Sequence, residues 1–217
     1  MIVSAQLQDY ILSLTPSDDP ILTRMEQLAH EERIPIIDRS AIQLISVLLQ
    51  NKDQVHNILE VGTAIGYSTL WLAKAAPQAM LDTIEREEDK IKTARRFLSE
   101  AGVIDRVRIH HADATRYADH LQGRQYDCIF IDAAKGQYHT FFESYSPLLK
   151  KDGMIITDNV FFHGEVLQDH VEQKRIRSLV KKIKSYNEWL ANHDGYDTSF
   201  VPIGDGLAIS IKRREKK

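Results

Sequence analysis

The chain has a single cysteine, Cys128, among 217 residues, so no disulfide can form within it. Cys128 stands in the apolar run Cys128–Ile131, which predicts a small buried side chain rather than a reactive thiol. No stretch approaches the roughly 20 apolar residues that a membrane-spanning helix requires. The first fourteen residues include Asp9 and lack a cationic segment before an apolar one, so no signal or transit peptide is predicted. We therefore expect a cytoplasmic protein without a membrane partner.

The charge is nearly balanced, with 28 Lys and Arg against 31 Asp and Glu and a net charge of −3. Global charge therefore gives no reason to expect nucleic acid or an anionic membrane as a partner. A hydrophobic content of 43% in 217 residues suffices for one α/β domain that buries about two-thirds of its unfolded surface. We expect a single domain over residues 1–217.

Seven short apolar runs predict a seven-stranded sheet. The runs are Ile58–Val61, Met80–Glu85, Val107–Ile109, Cys128–Ile131, Met154–Ile156, Ser199–Ile203 and Leu207–Ile211. Segments of roughly 15 to 25 residues with helical periodicity separate the first five runs, as in right-handed β-α-β crossovers. Only Gly204-Asp205-Gly206 separates the last two, so they form an antiparallel hairpin. A mostly parallel α/β sheet closed by a hairpin is the Rossmann-like fold of class I S-adenosylmethionine (SAM) methyltransferases.

Three helices are predicted before the first strand. They are Ala5–Leu14, Pro20–Arg33 and Asp38–Gln50, the last capped by Asp38. They have no strand of their own to cover, so we expect residues 1–53 to close one side of a cofactor cleft and to support a dimer contact. A purely structural cap is the open alternative. Residues 54–217 then form the Rossmann-like core.

The first predicted strand leads into a turn that suits a nucleoside cofactor. Glu60 lies in the strand, Gly62 in the turn and Ser68 at the start of the next helix. Gly62 lets the backbone approach a ligand without a Cβ. The free N–H groups of the helix start attract the carboxylate end of the cofactor, to which Ser68 offers its hydroxyl. Glu60 supplies negative charge for the ammonium or sulfonium end.

Two further strand ends bear on which cofactor binds. Glu85 ends the second strand, where a carboxylate accepts hydrogen bonds from both ribose hydroxyls. Asp113 and Ala114 follow the third strand, where the Asp113 side chain and the Ala114 backbone could hydrogen-bond to the edge of an adenine ring. The alternative for Asp113 is that it caps the N-terminus of a helix. The turn reads Gly-x-x-x-Gly instead of Gly-x-Gly-x-x-Gly, which favours SAM over NAD. An NAD-linked oxidoreductase is the alternative.

Oxygen-bearing side chains follow the fourth and fifth strands. Asp132 comes directly after Ile131, while Asp158 and Asn159 come after Thr157. The carboxyl ends of neighbouring parallel strands meet at one edge of a sheet, so these side chains should converge there. Two carboxylates and an amide form an all-oxygen set, which favours Mg²⁺, or else Mn²⁺ or Ca²⁺, over zinc. The structural alternative is a strand-end aspartate that only caps the next helix.

Such a site predicts in-line transfer of a methyl group from a sulfonium to an oxygen nucleophile. A hydroxyl bound to a divalent cation loses its proton far more easily than a free one, and the cation also orients the oxygen. Lys135, three residues after Asp132, either takes that proton or holds the oxyanion in place. Lys135 and Asp132 are therefore the predicted catalytic residues. A noncatalytic nucleotide-binding protein of this fold would be marked by loss of Asp132, Lys135 or Asp158, and all three are present.

The chain resembles the cation-dependent O-methyltransferases that include the caffeoyl-CoA and catechol enzymes. The resemblance runs from about Ile34 to Lys212, and its most specific motifs are Glu60-Val61-Gly62-Thr63-x-x-Gly66-Tyr67-Ser68, Phe130-Ile131-Asp132-Ala133-Ala134-Lys135, Thr157-Asp158-Asn159 and Pro202-Ile203-Gly204-Asp205-Gly206. It implies that Asp132, Asp158 and Asn159 bind the metal. It implies that Lys135 acts at the transferred proton and that the protein is a homodimer. The implied cofactor contacts are Ile37, Gly62, Ser68, Glu85, Asp113, Ala114 and Asp132.

One loop departs from the family pattern. Residues 160–165, Val-Phe-Phe-His-Gly-Glu, replace a Trp-Asn-Gly type of loop that helps to choose the substrate, so a plant phenylpropanoid is not expected. Within the family the chain resembles the bacterial tRNA 5-hydroxyuridine methyltransferases, which make 5-methoxyuridine at the wobble position. The 5-hydroxyl and 4-carbonyl of that base are adjacent oxygens that can chelate one metal, as a catechol's two can. A small catechol-like vicinal diol is the alternative substrate.

Two basic segments are candidates for holding the tRNA anticodon loop, whose bases are unpaired or easily splayed. The first contains Lys174, Arg175, Arg177, Lys181, Lys182 and Lys184, and the second contains Lys212, Arg213, Arg214, Lys216 and Lys217. Both could contact phosphates in a way that the net charge conceals. The alternative is that residues 171–190 form an amphipathic helix whose basic side is simply solvated.

Overall fold

The computed structural model describes residues 4–15, 19–168 and 173–213. They form a seven-stranded sheet in the order β3-β2-β1-β4-β5-β7-β6. The strands are β1 Asn57–Val61, β2 Met80–Glu85, β3 Val107–His111, β4 Tyr126–Ile131, β5 Leu149–Thr157, β6 Tyr196–Val201 and β7 Leu207–Lys212. Strands β1 to β5 run parallel, whereas β7 pairs antiparallel with β5 and β6. The predicted mostly parallel α/β sheet with its closing hairpin is confirmed.

Helices cover the two faces of this sheet. In the described ranges they are α1 Ala5–Leu14, α2 Pro20–Glu31, α3 Arg39–Gln50, α4 Tyr67–Ala75, α5 Glu88–Glu100, α6 Tyr138–Tyr145 and α7 Lys174–Ala191. Alternate residues of a strand face opposite sides, and β4 shows the result. Cys128 and Phe130 join a hydrophobic cluster with α2 to α5, whereas Ile129 and Ile131 join a second cluster with α6 and α7. Both faces of the central strands are therefore buried.

Burial also explains the chemistry of the single cysteine. Cys128 is fully buried, and desolvation raises the pKa of its thiol to about 12. The prediction of an unreactive buried cysteine is confirmed. No helix in the described part of the chain is both long enough and apolar enough to span a bilayer.

Two strands differ from the predicted runs by three or more residues at one end. β5 begins at Leu149 instead of Met154, and β6 covers Tyr196–Val201 instead of Ser199–Ile203. β6 lies at the edge of the sheet, where polar side chains such as Asp197 can face water, so an apolar criterion places its start too late. Pro202 cannot donate a ladder hydrogen bond, which agrees with the end of β6 at Val201.

The N-terminal helices follow the prediction closely. Asp38 caps α3 by accepting a hydrogen bond from the Ser40 backbone N–H at 2.9 Å, as predicted. α2 ends at Glu31 instead of Arg33, because Arg33 has a left-handed φ of 54°. The apolar sides of α2 and α3 belong to the same hydrophobic cluster as Ile156 of β5. These helices therefore complete a face of the core, besides leading into the cleft described below.

Helix α7 has the amphipathic character that its sequence predicts. Its described part begins at Lys174 and ends at Ala191, while residue 171, the predicted start, lies outside the described residues. Val180, Ile183 and Leu190 are buried. The basic side chains therefore lie along the solvent side of this helix.

A buried carboxylate ties three strands together at the outer part of the sheet. Asp82 of β2 accepts hydrogen bonds from His110 of β3 at 2.8 Å and from Tyr126 of β4 at 2.9 Å, and it also pairs with Arg124. Burial alone would raise the pKa of Asp82, but these hydrogen bonds outweigh it and lower the pKa to about 2. The carboxylate is therefore stabilised in its charged form by the fold.

We expect Asp82→Asn to lower the free energy of unfolding by about 2 kcal/mol at pH 7, the value of a shift from 3.8 to about 2. The folded pKa is depressed, so this stability is present above pH 4 and is lost as the pH falls toward 2. Urea unfolding of parent and variant from pH 7 downward measures it. The exposed Asp53→Asn is the control, and a parent–variant gap that does not shrink in acid would contradict the assignment.

Candidate active site

Three neighbouring strands end in register at one edge of the sheet. Val61 of β1 pairs with Ile131 of β4, and Ile131 pairs with Thr157 of β5. The next backbone steps are also bonded, since the Asp132 N–H donates to the Val61 carbonyl at 2.9 Å and the Asp158 N–H to the Ile131 carbonyl at 3.0 Å. The first residue after each strand therefore stands at the same level. The predicted convergence of Asp132 and Asp158 follows from this register.

Asp158 is buried and Asp132 is partly buried. Asp158 is 1% exposed, and its backbone carbonyl accepts a hydrogen bond from the buried Tyr138 hydroxyl at 2.7 Å. Burial raises the pKa of Asp132 and, together with the charge of Asp132, raises the pKa of Asp158 well above its ordinary value. A bound cation would stabilise the charged forms of these two carboxyl groups.

Asn159 and Lys135 complete the predicted set. Asn159 has a left-handed φ of 57°, and its backbone N–H donates to Asp158 Oδ1 at 2.7 Å. This geometry turns the Asn159 amide oxygen toward Lys135, whose ammonium donates to it. Lys135 lies in the 3₁₀ turn Lys135–Gln137, between β4 and α6. The four residues predicted to act together are thus neighbours in the structure.

The chemistry of this donor set fits a hard divalent cation. Two carboxylate groups and an amide oxygen are ligands that Mg²⁺ accepts, and no sulfur or imidazole is among them. Within the described residues no cluster of three or more His, Cys, Asp or Glu side chains is suited to a metal ion. The predicted set differs from such a cluster because its third member is an amide. Metal binding by Asp132, Asp158 and Asn159 stays a prediction.

The residue after β1 must be a glycine because it packs against the loop after β4 that carries Asp132. Gly62 has a φ of 106°, and a Cβ built on it would lie 2.0 Å from the Asp132 carbonyl oxygen. The turn after β1 and the loop after β4 are therefore in direct backbone contact. Gly62 also lines the cleft, where its predicted close approach to a cofactor stays a prediction.

Glu60 and Ser68 lie together beneath this turn. The fully buried Glu60 carboxylate accepts hydrogen bonds from the hydroxyls of Ser68 at 2.5 Å, Thr69 at 2.5 Å and Thr83 at 2.6 Å. Burial raises the pKa of Glu60 to about 7 despite these donors. The Ser68 proton is thus directed at Glu60, not into the cleft. The predicted cofactor contacts of both residues stay predictions.

Glu85 links the turn after β1 to the end of β2. Its Oε2 accepts from the Ala64 backbone N–H at 2.9 Å, and its Oε1 accepts from the backbone N–H groups of Arg86 and Glu87 at 2.8 and 3.0 Å. Each carboxylate oxygen can accept more than one hydrogen bond. The predicted ribose contact is therefore compatible with this scaffold.

The other predicted cofactor residues occupy the same end of the cleft. Asp113 accepts hydrogen bonds from the backbone N–H and hydroxyl of Thr115, so its helix-capping role is present in the structure. The Ala114 carbonyl accepts from Tyr145 at 2.6 Å, which fixes the loop after β3. Ile37 is buried, and the two residues before it line the cleft. Its cofactor contact stays a prediction.

One cleft of about 730 Å³ joins these two groups of residues. Among the residues that line it are Pro35, Ile36, Gly62, Glu85, Asp113, Ala114, Asp132, Lys135, Asp158, Asn159, His163 and Asp205. Glu85 and the segment Asp113–Ala114 follow β2 and β3, whereas Asp132 and Asp158 follow β4 and β5, on the other side of β1 in the sheet. A nucleoside donor and an acceptor group would therefore meet in one cavity.

Asp205 was assigned no role from the sequence, although it lies in the motif Pro202-Ile203-Gly204-Asp205-Gly206. Asp205 accepts a hydrogen bond from the His163 backbone N–H, its Oδ1 lies 3.4 Å from His163 Nδ1, and its Oδ2 is buried without a partner among the described residues. The motif glycine Gly206 allows this, because a Cβ there would lie 2.2 Å from the Phe161 ring. The hairpin therefore holds the loop that borders the cleft.

The two basic segments lie at different ends of the molecule. α7 packs against the turn that carries Lys135. By contrast, Lys212 donates to the Leu149 carbonyl at 3.3 Å, at the start of β5, and Arg213 pairs with Asp197. β7 runs antiparallel to β5, so this end lies away from Asp158. Lys212 and Arg213 thus lie far along the sheet from the cleft, and phosphate contacts from either segment stay a prediction. Arg214, Lys216 and Lys217 lie outside the described residues.

Comparison with known proteins agrees with this geometry. The O-methyltransferase family model matches residues 15–213. A catechol O-methyltransferase from Niastella koreensis is 31% identical over 89% of this chain and 90% of that protein. The structure of a proposed caffeoyl-CoA O-methyltransferase from Staphylococcus aureus has a TM-score of 0.89 and 41% identity, over 96% of this chain and 100% of that one. The O-methyltransferase TomG from Streptomyces achromogenes, solved with SAM, has a TM-score of 0.84 and 26% identity over 96% of each chain.

The neighbouring carboxyl groups of Asp132 and Asp158 are expected to lower the stability of the fold, because they are kept for function. We expect Asp158→Asn to raise the free energy of unfolding by about 1 kcal/mol in EDTA, because the amide removes a buried carboxylate beside Asp132 while keeping an oxygen for the Asn159 N–H. Urea unfolding in EDTA measures this change.

Asp132→Asn should shift stability in the same direction, and the exposed Asp105→Asn should leave it unchanged within about 0.5 kcal/mol. A loss of stability in Asp158→Asn would mean that the carboxylate pair is not strained by proximity and burial.

Proposed function

The chain belongs to the O-methyltransferase family, and from this premise we propose that it transfers the methyl group of SAM to a hydroxyl held at the carboxyl edge of its sheet. The observation that carries the proposal is the shared cleft, which Glu85 and the loop after β3 line on one side and Asp132, Asp158 and Asn159 on the other. A donor and an acceptor bound in it would face each other, as in-line transfer requires.

SAM is the proposed donor. Gly62, the Glu85 carboxylate and the segment Asp113–Ala114 surround the cofactor side, with Ile37 behind the wall that Pro35 and Ile36 form. Glu60 lies below the turn, where the hydroxyls of Ser68 and Thr69 donate to its carboxylate. In its ionised form Glu60 adds negative potential toward a sulfonium. TomG, with 26% identity over nearly the whole chain, was solved with SAM, which supports this choice of cofactor.

Asp132, Asp158 and Asn159 are the proposed ligands of Mg²⁺, or of Mn²⁺ or Ca²⁺ in its place. When bound there, the cation supplies Lewis acidity that lowers the pKa of the acceptor hydroxyl. The pKa values of the two aspartates are raised because their charged forms are unfavourable in this site, and a bound cation would offset that cost.

Lys135 is the proposed general base. Its ammonium contacts the Asn159 amide oxygen, so its nitrogen lies at the edge where the acceptor hydroxyl is held. In the reaction an oxygen lone pair forms the new bond to the methyl carbon, the carbon–sulfur bond breaks, and the sulfur keeps that electron pair as a neutral thioether. The hydroxyl proton goes to Lys135, which must first release its own proton to solvent.

The proposed acceptor is 5-hydroxyuridine at the wobble position of a tRNA anticodon loop. The exposed basic face of α7 lies beside the turn that carries Lys135 and offers phosphate contacts near the cleft. The second candidate is a small vicinal diol, favoured by 31% identity to a catechol O-methyltransferase. Both candidates present two adjacent oxygens to the same residues.

The proposed assembly is a homodimer formed through the N-terminal helices. Leu7, Tyr10 and Leu14 of α1 are 47–62% exposed. They are spaced by three and four residues, so they lie on one side of the helix. An apolar stripe of this kind suits a second copy of the chain.

Substrate and metal are tested together with labelled SAM and tRNA that carries 5-hydroxyuridine. We expect label in the tRNA, loss of transfer in EDTA and recovery with Mg²⁺, because the hydroxyl needs a cation to ionise. Label in 3,4-dihydroxybenzoate but not in tRNA would replace the first candidate by the second. Full turnover in EDTA would reject the metal assignment for either substrate.

Lys135→Met should lower kcat by about 10²- to 10⁴-fold through loss of the base. Lys135→Arg separates the two roles of this residue, because arginine keeps the charge but does not accept a proton at accessible pH. We expect Lys135→Arg to be as slow as Lys135→Met. An active Lys135→Arg would identify the residue as an oxyanion holder, and an unchanged thermal shift with S-adenosylhomocysteine controls for folding.

A further inference from the structure

A second cavity of about 420 Å³ lies between α7 and the turn that carries Lys135. The residues of α7 that line it include Ser178, Lys181, Lys182 and Ser185, and Lys135 lines both this cavity and the active-site cleft. The second cavity is therefore the immediate neighbour of the site where the methyl group is transferred.

The lining of this cavity can donate hydrogen bonds and positive charge but contains no carboxylate. It presents the ammonium groups of Lys181 and Lys182, the two serine hydroxyls and the imidazole of His139. Among the residues that the structure describes, neither Lys181 nor Lys182 has an ion pair or a hydrogen-bond partner. By contrast, Lys74 and Lys90 pair with nearby acids. A group rich in acceptor oxygens and negative charge is the complement of such a lining.

The donors are held in place by the packing of α7. Ser178, Lys181, Lys182 and Ser185 follow the spacing of three and four residues that places side chains on one side of a helix. The opposite side is anchored by buried residues such as Ile183. The Lys182 side chain reaches the backbone next to Lys135, because a Cβ built on Gly136 would lie 3.7 Å from Lys182 Nζ, in ordinary van der Waals contact. The Lys182 ammonium thus lies over the backbone of the catalytic turn.

We propose that this cavity is a subsite for a phosphate ester of the substrate, namely the phosphodiester next to the base that enters the cleft. The inference rests on the proposed RNA substrate, since a free diol carries no phosphate. Each nucleotide of an RNA strand brings one phosphate within a sugar's length of its base. A base in the cleft therefore places a phosphate close to Lys135 and to the lysines of α7. A coenzyme A thioester is the other source of phosphate near a diol.

The test uses the full-length chain with Lys181→Ala and Lys182→Ala, alone and combined. For an anticodon stem-loop bearing 5-hydroxyuridine, we expect KM to rise about tenfold per lysine with kcat unchanged. The slope of log KM against log salt should fall by about 0.7 per lysine lost. KM for 3,4-dihydroxybenzoate should not move. The matched control is Lys151→Ala, an exposed lysine near the start of β5, at the opposite end of the sheet.

A neutral methylphosphonate at the phosphate beside the modified nucleotide identifies the partner of these lysines. It should raise KM in the parent protein and cause no further rise in the combined variant, because both changes remove the same contact. Additive effects would overturn the assignment to that phosphate.

The remaining outcomes separate the subsite from the proposed function. If RNA is methylated and its KM is unchanged in the combined variant, the subsite is wrong and the RNA substrate stands. If the parent methylates caffeoyl-CoA but not RNA, both the proposed substrate and the phosphodiester assignment fail. This holds whether or not the KM for caffeoyl-CoA depends on the two lysines. Equal losses on RNA and on the free diol would show a structural role of α7 and would also overturn the inference.

Discussion

Two carboxyl groups, those of Asp132 and Asp158, are held close together at the bottom of the cleft, and the surrounding structure depends on this arrangement. Asp132 and Asp158 stand one step beyond strands β4 and β5, whose paired ends are in register. Burial raises the pKa of both groups, and the charge of Asp132 raises the pKa of Asp158 further, so their charged forms cost free energy. A soft or irregular edge would let them separate. The sheet prevents this by burying both faces of the strands that carry them.

The same edge links cofactor chemistry to acceptor chemistry through the backbone. Gly62, in the turn after β1, packs so closely on the Asp132 carbonyl that no side chain fits between them. Glu85 holds that turn from the other side through the Ala64 N–H. A displacement of the cofactor turn would thus move the aspartate loop as well. In-line transfer depends on small tolerances between donor and acceptor, and this contact is a direct way to keep them.

Much of this arrangement could be predicted from the sequence because it depends on strand ends. A polar residue that directly follows an apolar strand has a position fixed by topology alone, which is why Asp132, Asp158 and Glu85 were found. Side chains whose place depends on tertiary packing were not. Nothing local indicates that Ser68 turns its proton toward Glu60, that Asp205 reaches the cleft, or that Lys212 lies at the far edge. These facts follow from which elements pack together, and periodicity carries no such information.

The residues that follow β4 and β5 cannot by themselves distinguish the two proposed acceptors, a vicinal diol and a modified base, since each offers two adjacent oxygens. Selection must come from groups that surround the acceptor, and two of them approach from outside the sheet. One is the loop after β5, where Asn159, Phe162 and His163 all adopt left-handed backbone angles and Asp205 fixes the His163 N–H. The other is α7, where Lys181 and Lys182 have no ion pair with any described residue and give a local positive field in a chain of net charge −3. Fields fall off within about 8 to 10 Å in physiological salt, so a proposed acceptor in the cleft would respond to the charge beside Lys135 more than to the sum over the chain.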